Sequence, residues 1–152
     1  MDKVLARIQT YAKYMDGAKL KDGLKTVMEL SSLCNKFMTD SWTPKIDATR
    51  KLVIVTILTN VIRVLATLFE PFLPGFSAII YFFLGHTRTI KDETFVKHLL
   101  TIQSGKDLIN LVPEGQAMNQ PIPIFSQISD EAIKAHKEKF TPPEDPTDAA
   151  AH

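Results

Sequence analysis

The apolar side chains recur with a helical period along nearly the whole chain. Val4, Leu5, Ile8, Tyr11, Ala12 and Met15 fall on one face of a first helix. Asp16-Gly17 ends it, with Gly17 suited to the left-handed residue past a helix end. A second helix follows, its inward face read as Leu20, Leu24, Val27, Met28, Ser31, Cys34 or Asn35, and Met38. That face broadens through Leu30, Leu33 and Phe37, which predicts contact with two neighbours. Gly23 within the pattern lowers helix propensity by about 1 kcal/mol relative to Ala. Pro44 forbids a continuous helix through 39–46. Asp47 then caps a long helix that ends at Glu70, before Pro71 and Pro74.

A short helix, FSAIIYFFLG, runs to Gly85, and a weaker one covers roughly Lys91 to Ile102, with Phe95, Leu99 and Ile102 on one face. The period is then lost. LVPEGQAMNQPIPIFSQI alternates short apolar pieces with Pro and Gly, and reads as an extended segment packed across the helices. Ser129 caps a last helix, SDEAIKAHKEKF, with Asp130 and Glu131 at its positive end and Ile128 stapled to Ile133. From Thr141 on, TPPEDPTDAAAH is a solvated tail or linker. The pattern predicts an all-α fold. Residues 1–140 form a bundle of five to six helices with an extended C-terminal segment across it, and 141–152 form the tail.

The most apolar stretch, KLVIVTILTNVIRVLATLF, approaches the roughly 20 residues that span a bilayer. It contains Asn60 and Arg63, and an Arg at mid-membrane costs about 2.5–3.5 kcal/mol. The expected role is the central helix of a bundle, with no membrane partner. Asn60 and Arg63 lie at i, i+3, and an Arg in so apolar a helix needs partners. We expect a satisfied polar pair that fixes the bundle.

Overall composition is that of a globular domain, 45% hydrophobic and 23% charged, with a net charge of +1. The charge is uneven: residues 1–51 hold ten Lys/Arg against six Asp/Glu, and the remainder eight against eleven. A basic N-terminal half permits a polyanionic partner. Cys34 is the single cysteine, which excludes an intrachain disulfide and fits a reducing compartment; on an apolar face it reads as a small buried hydrophobe. None of the four His has a Cys or carboxylate at ligand spacing, so no metal site is expected. The residues show no nucleophile–base pair, no paired carboxylates and no phosphate loop, and the His of GHTR (85–88) reads as a solvated loop residue.

Three stretches together resemble a known family. LKTVMELSSLCNKF is similar to a helix of the form A-L-x-x-x-M-x-I-S-x-x-x-N-x-Y. TNVIRVLATLFEPFLPGFSAIIYFFLG is similar to N-L-x-R-x-L-A-x-x-L-x-P-x-M-P followed by a helix ending in Leu-Gly. LVPEGQAMNQPIPIFSQISDEAI is similar to L-P-x-G-H-x-I-G-x-P-x-P-L-F-x-K-I-x-D-E-x-I, with Gln116 in place of the His and Met118-Asn119 in place of Ile-Gly. In this order they resemble the anticodon-binding helical domain of methionyl-tRNA synthetases of the archaeal and eukaryotic cytosolic branch. The resemblance covers about residues 3 to 140.

It implies a role for the one tryptophan. In the family a Trp after the Asn-x-Tyr helix stacks on an anticodon base of the methionine tRNA, and Trp42 is the candidate. Base–aromatic stacking contributes about 1–3 kcal/mol per base. Lys36, Lys45, Arg50 and Lys51 are candidates for anticodon-stem phosphates. Asn35 is expected to tie the helix end to a neighbour. The local spacing departs from the family. There, Trp stands nine residues after the Asn and directly after a Pro; here Trp42 stands seven after Asn35, behind Ser41, with Pro44 two residues on.

The family's catalytic signatures, of the His-x-Gly-His and Lys-Met-Ser-Lys-Ser types, are not in this sequence. Neither is the preceding helix whose Asn and Arg also read the anticodon. The resemblance therefore implies a cytoplasmic module of a methionine-tRNA ligase that supports aminoacylation by binding the tRNA anticodon arm. Its partner is the synthetase catalytic domain. It needs no cofactor of its own, because that domain would bind ATP. The alternative is a degenerate, free-standing helical domain that acts as a protein-interaction or structural module without RNA binding.

Overall fold

The computed structural model describes residues 1–86 and 93–140. The expected tail from Thr141 lies outside them, as do Lys91 and Asp92 of the weaker helix and Thr87-Arg88 of the GHTR loop. Among the described residues are six α-helices and no strand. These are α1 (Asp2–Asp16), α2 (Leu20–Ser41), α3 (Ala48–Phe69), α4 (Pro74–Phe83), α5 (Glu93–Thr101) and α6 (Asp130–Phe140), with a 3-10 turn at Asp107–Asn110. The chain divides after Pro121 into two compact units, the first holding α1 to α5 and the second α6.

In the first unit α1 buries Val4, Leu5, Ile8 and Tyr11, the face expected of it. α2 packs between α1 and α3, with Gly23 under the Met15 side chain of α1. A Cβ at Gly23 would meet Met15 Sδ at 2.8 Å and Phe72 at 3.7 Å, so a side chain there would have to displace the Met15 thioether. The core runs through Ile8, Val27, Leu30, Val64, Leu99 and Leu108, each at most 1% exposed. Each such side chain stabilises the fold by about 1.5–3 kcal/mol relative to exposure.

α3 is the central element, packed on α2, α4 and the 3-10 turn. Its length and apolar content would suffice to cross a bilayer, but Val61, Val64, Leu68 and Phe69 belong to the protein's own core. Asp47 caps it as expected, its carboxylate accepting a bond from the Arg50 amide at 2.8 Å. At the other end the Leu68 carbonyl, one of the last-turn acceptors left without a helical donor, accepts from the buried Tyr11 hydroxyl at 3.1 Å. Burial, with Glu70 nearby, pushes the Tyr11 phenol up to about 12. Thr67 Oγ1 and Tyr81 OH, 2.6 Å apart, join α3 to α4.

The segment after the 3-10 turn crosses the bundle on named hydrogen bonds. Asn60, 2% exposed, accepts from the Val112 amide at 2.8 Å and donates to the Thr56 carbonyl at 2.8 Å. Arg63 donates to the Leu111 carbonyl, and its guanidinium lies 4.1 Å from the centroid of the Phe95 ring on α5. Gln116 donates to the Gly85 carbonyl, and Asn119 bonds the Phe82 and Phe83 carbonyls at the end of α4. The two polar residues of the apolar helix thus clasp a strand of backbone about fifty positions away.

Two expectations change. The left-handed residue after α1 is Ala18 (φ 53°), not Gly17 (φ −85°). The Ala18 amide bonds Met15 and the Lys19 amide bonds Tyr14, which sets the reversal one residue later than the glycine. On α2, Leu20, Leu24, Met28 and Met38 do not face inward. They are 57%, 36%, 54% and 38% exposed, while Gly23, Thr26, Val27 and Leu30 are buried. Apolar residues border both sides of this helix, and the bundle takes the edge on which Gly23, Thr26, Val27 and Leu30 lie.

In the second unit the Ala132 amide donates to Ser129 Oγ at 3.2 Å, the cap expected for α6. Ile128 and Ile133 line one apolar groove with His136 and Phe140.

Candidate RNA-binding site

The site lies at the end of the first unit where α2 gives way to α3. α2 runs to Ser41 and Trp42 is its C-cap, with extended backbone (φ −90°, ψ 101°) and its amide bonded to the Met38 carbonyl. Pro44 then occupies the second position of a turn closed by the Ile46 amide on the Thr43 carbonyl, 3.2 Å. Lys45 is at the tip of that turn, and Asp47 starts α3 directly after it. A stiff four-residue turn therefore joins two 22-residue helices and fixes Trp42 on one side and the first turn of α3 on the other.

Trp42 is 41% exposed, a large ring only partly covered at a helix end. Lys45, Arg50 and Lys51 are all exposed, and among the described residues no carboxylate pairs with their side chains. Arg50 and Lys51 sit in the first turn of α3, where the helix dipole disfavours cations by about 0.3–1 kcal/mol each. Asp47 offsets part of this from the cap, but the first turn itself holds no acid. Unpaired cations with helix N–H groups make this end attractive to anions. Beside it a groove of about 540 Å³ opens between the last turns of α2 and the first turns of α3. Phe37, Val53, Ile54 and Ile57 line it with Ser41, Asp47, Thr49 and Arg50. Sequence reading did not single out this groove. The signal was present in Phe37 and Val53, which the helical period puts at the facing ends of two consecutive helices.

The other candidates fall elsewhere. Lys36 is six residues from Trp42, about 120° around the helix, and is paired with Asp40 at 3.5 Å. Asn35 does share the Trp42 face, seven residues away, but its side chain is exposed. Among the described residues it makes no hydrogen bond to a neighbouring element, so the tie expected of it is absent. Only its carbonyl is engaged, by Thr39 Oγ1 at 3.0 Å. Asn60 and Arg63 serve the Leu111–Val112 backbone and lie apart from this end. His86 is held below its ordinary value, first by burial and then by the Arg63 guanidinium.

Among the described residues no three His, Cys, Asp or Glu gather as metal ligands. Burial pushes the Cys34 thiol up to about 11, away from reactivity. An exposed ring and exposed cations on either side of one short turn are side chains of the kind that hold a base and its phosphates.

The family model for the anticodon binding domain of methionyl tRNA ligase matches residues 1–145. A probable methionine--tRNA ligase of Oryza sativa subsp. japonica is 29% identical over 143 residues, which is 92% of this chain and 18% of that protein. The methionine--tRNA ligase of Phocaeicola vulgatus is 31% identical over 131 residues, 84% of this chain and 18% of that protein. The cytoplasmic methionine--tRNA ligase of Arabidopsis thaliana is 26% identical over 147 residues, 91% of this chain and 17% of that protein. The chain thus spans about a fifth of the length of the curated relatives it matches. No solved structure matches it. With the match running through all six helices, the chain belongs to the anticodon-binding domain family of methionyl-tRNA ligases.

Proposed function

We propose that this chain is the anticodon-arm-binding module of a methionine-tRNA ligase and that it acts in the cytoplasm. The exposed Trp42 ring stacks on an anticodon base of the methionine tRNA, and Lys45, Arg50 and Lys51 hold the adjoining phosphates. Lys36 contributes at longer range once it releases Asp40. Methionine, ATP and the aminoacylation step belong to the catalytic domain of the ligase, for which this module orients the tRNA. The observation that carries this reading is the exposed Trp42 at the end of α2, separated by one short turn of chain from the exposed Arg50 and Lys51 at the start of α3.

Its test is the salt dependence of binding to a methionine-tRNA anticodon stem-loop. Each phosphate contact on single-stranded RNA adds about 0.7 to the slope of log K against log salt. Replacing Lys45, Arg50 and Lys51 by Gln should lower affinity and flatten the slope by about 2. A slope unchanged in that triple variant contradicts the reading. A second reading, a protein-interaction module without RNA binding, is favoured by one observation: Trp42 follows Asn35 by seven residues, with the proline behind it rather than before it.

A further inference from the structure

The turn at the candidate site carries a hydroxyl that the anticodon reading does not use. Thr43 stands outside both helices, between Trp42 at the end of α2 and Pro44 at the second position of the turn. Its carbonyl accepts from the Ile46 amide at 3.2 Å. Its side chain is exposed, and among the described residues the hydroxyl makes no hydrogen bond. Proline at the next position holds Thr43 out of the helical region, and Trp42 before it is already extended. The neighbouring hydroxyls differ. Thr39 Oγ1 is bonded to the Asn35 carbonyl, Ser41 is half-buried in the last turn of α2, and Thr49 lies within α3. Thr43 alone among these four is an exposed, unbonded hydroxyl on non-helical backbone directly before a proline. A proline-directed protein kinase takes an acceptor of this kind, because the pyrrolidine ring offers an apolar surface and carries no amide donor that the kinase must satisfy.

We propose that Thr43 is a phosphorylation site for a proline-directed protein kinase, and that its phosphate switches off RNA binding at this end of the bundle. The second half rests on the anticodon reading. In the modification Thr43 Oγ1 attacks the γ-phosphorus of ATP. The new O–P bond replaces the one to the β–γ bridging oxygen, the hydroxyl proton passes to the kinase's base, and ADP leaves. The product carries about −1.5 to −2 charge at neutral pH where a neutral hydroxyl stood. It stands one residue from Trp42 and two from Lys45, on the turn that leads to Arg50 and Lys51. It therefore offsets about half or more of the positive charge of Lys45, Arg50 and Lys51 together, and it repels the phosphates of an approaching RNA. The bundle does not depend on the Thr43 hydroxyl, so the fold is kept while the charge changes sign.

The test treats the whole chain with ATP and an active mitogen-activated protein kinase, and locates the phosphate by mass spectrometry. The sequence holds one other Ser/Thr-Pro pair, Thr141-Pro142, so the assay runs in a Thr141→Val background. One phosphate on Thr43 is expected, and none at this turn in the Thr43→Val variant. The phosphorylated chain should bind the methionine-tRNA anticodon stem-loop at least tenfold more weakly than the unmodified chain. Its salt slope should flatten by about 1.4, the loss of two phosphate contacts at about 0.7 each. Phosphatase should restore both, and circular dichroism should be the same before and after phosphorylation. Absence of phosphate on Thr43 overturns the proposal, as does phosphorylation that leaves affinity and slope unchanged. An unmodified chain that does not bind the stem-loop is the failure of the anticodon reading. It overturns the switch with that reading, whereas incorporation at Thr43 upholds or overturns the modification site by itself.

Discussion

Replacing Asn60 by Leu tests whether the polar pair of α3 works as a clasp. The side chain is 2% exposed, accepts from the Val112 amide at 2.8 Å and donates to Thr56 O at 2.8 Å. Leu fills a similar volume, so little of the cost comes from packing. The Thr56 carbonyl keeps its helical donor, but the Val112 amide loses its acceptor, and an unmet donor of this kind costs about 1–3 kcal/mol. Arg63→Met removes a charged donor from the Leu111 carbonyl next to it, worth about 1.5–3 kcal/mol, as well as the contact with Phe95. Both variants release the same stretch of backbone. Their costs should therefore fall short of additivity in the double variant by about 1 kcal/mol. Urea unfolding followed by circular dichroism gives the free energies, and hydrogen exchange at Val112 reports the local release. If Asn60→Leu costs less than about 0.5 kcal/mol, or if the two costs add in full, the clasp is not what holds residues 111–121 to the bundle.

Three other outcomes follow from the structure. Ala18→Gly should stabilise the chain by about 0.5–1 kcal/mol in the same urea assay, because Ala18 holds a left-handed φ of 53° that glycine adopts without strain; a loss of stability contradicts this. Cys34, its thiol raised from 9.0 to about 11 by burial, should react with iodoacetamide at neutral pH about a hundredfold more slowly than in the urea-unfolded chain, and equal rates would refute the burial argument. Glu131 is held below the ordinary carboxylate range by its own backbone amide and then by Ser129. That contribution is present above the unfolded value and is lost as pH falls through the lowered one. Amide protection in the first turn of α6 should therefore fall as pH is lowered below the ordinary carboxylate range, and protection that stays unchanged once the carboxylates are fully protonated counts against it.

Much of this fold was legible because helices declare themselves locally. The faces of α1 and α5, the Asp47 cap and the stop before Pro71 each depend on residues within a turn or two of one another. What sequence could not supply was direction. Leu24, Met28 and Met38 carry the spacing of a packed helix face whether the covering surface belongs to this chain or to another, and the bundle instead took the Gly23 edge. The turn after α1 was misread by one residue because an Asp-Gly pair is the stronger local signal, whereas the hydrogen bonds to Tyr14 and Met15 set the reversal at Ala18. The partners of Asn60 and Arg63 lie about fifty residues downstream, so the need for partners could be read but not their identity. At the candidate site Trp42, Lys45, Arg50 and Lys51 are all exposed, on either side of or within one short proline turn. Lys36 and Asn35 did not join them, since one is turned to Asp40 and the other stands alone on the solvent face.

The central claim is that Trp42 stacks on an anticodon base, and as the sole indole of the chain it reports on itself. Its fluorescence should be titrated with a methionine-tRNA anticodon stem-loop and with a loop of altered anticodon, at two salt concentrations. The account predicts quenching by the methionine loop that weakens with salt. The altered loop should bind less tightly, and Trp42→Ala should lower affinity by about 1–3 kcal/mol, roughly five- to 150-fold. Equal weak quenching by both loops, or full affinity in the Ala variant, would contradict it and leave a bundle that keeps the family fold without reading the anticodon.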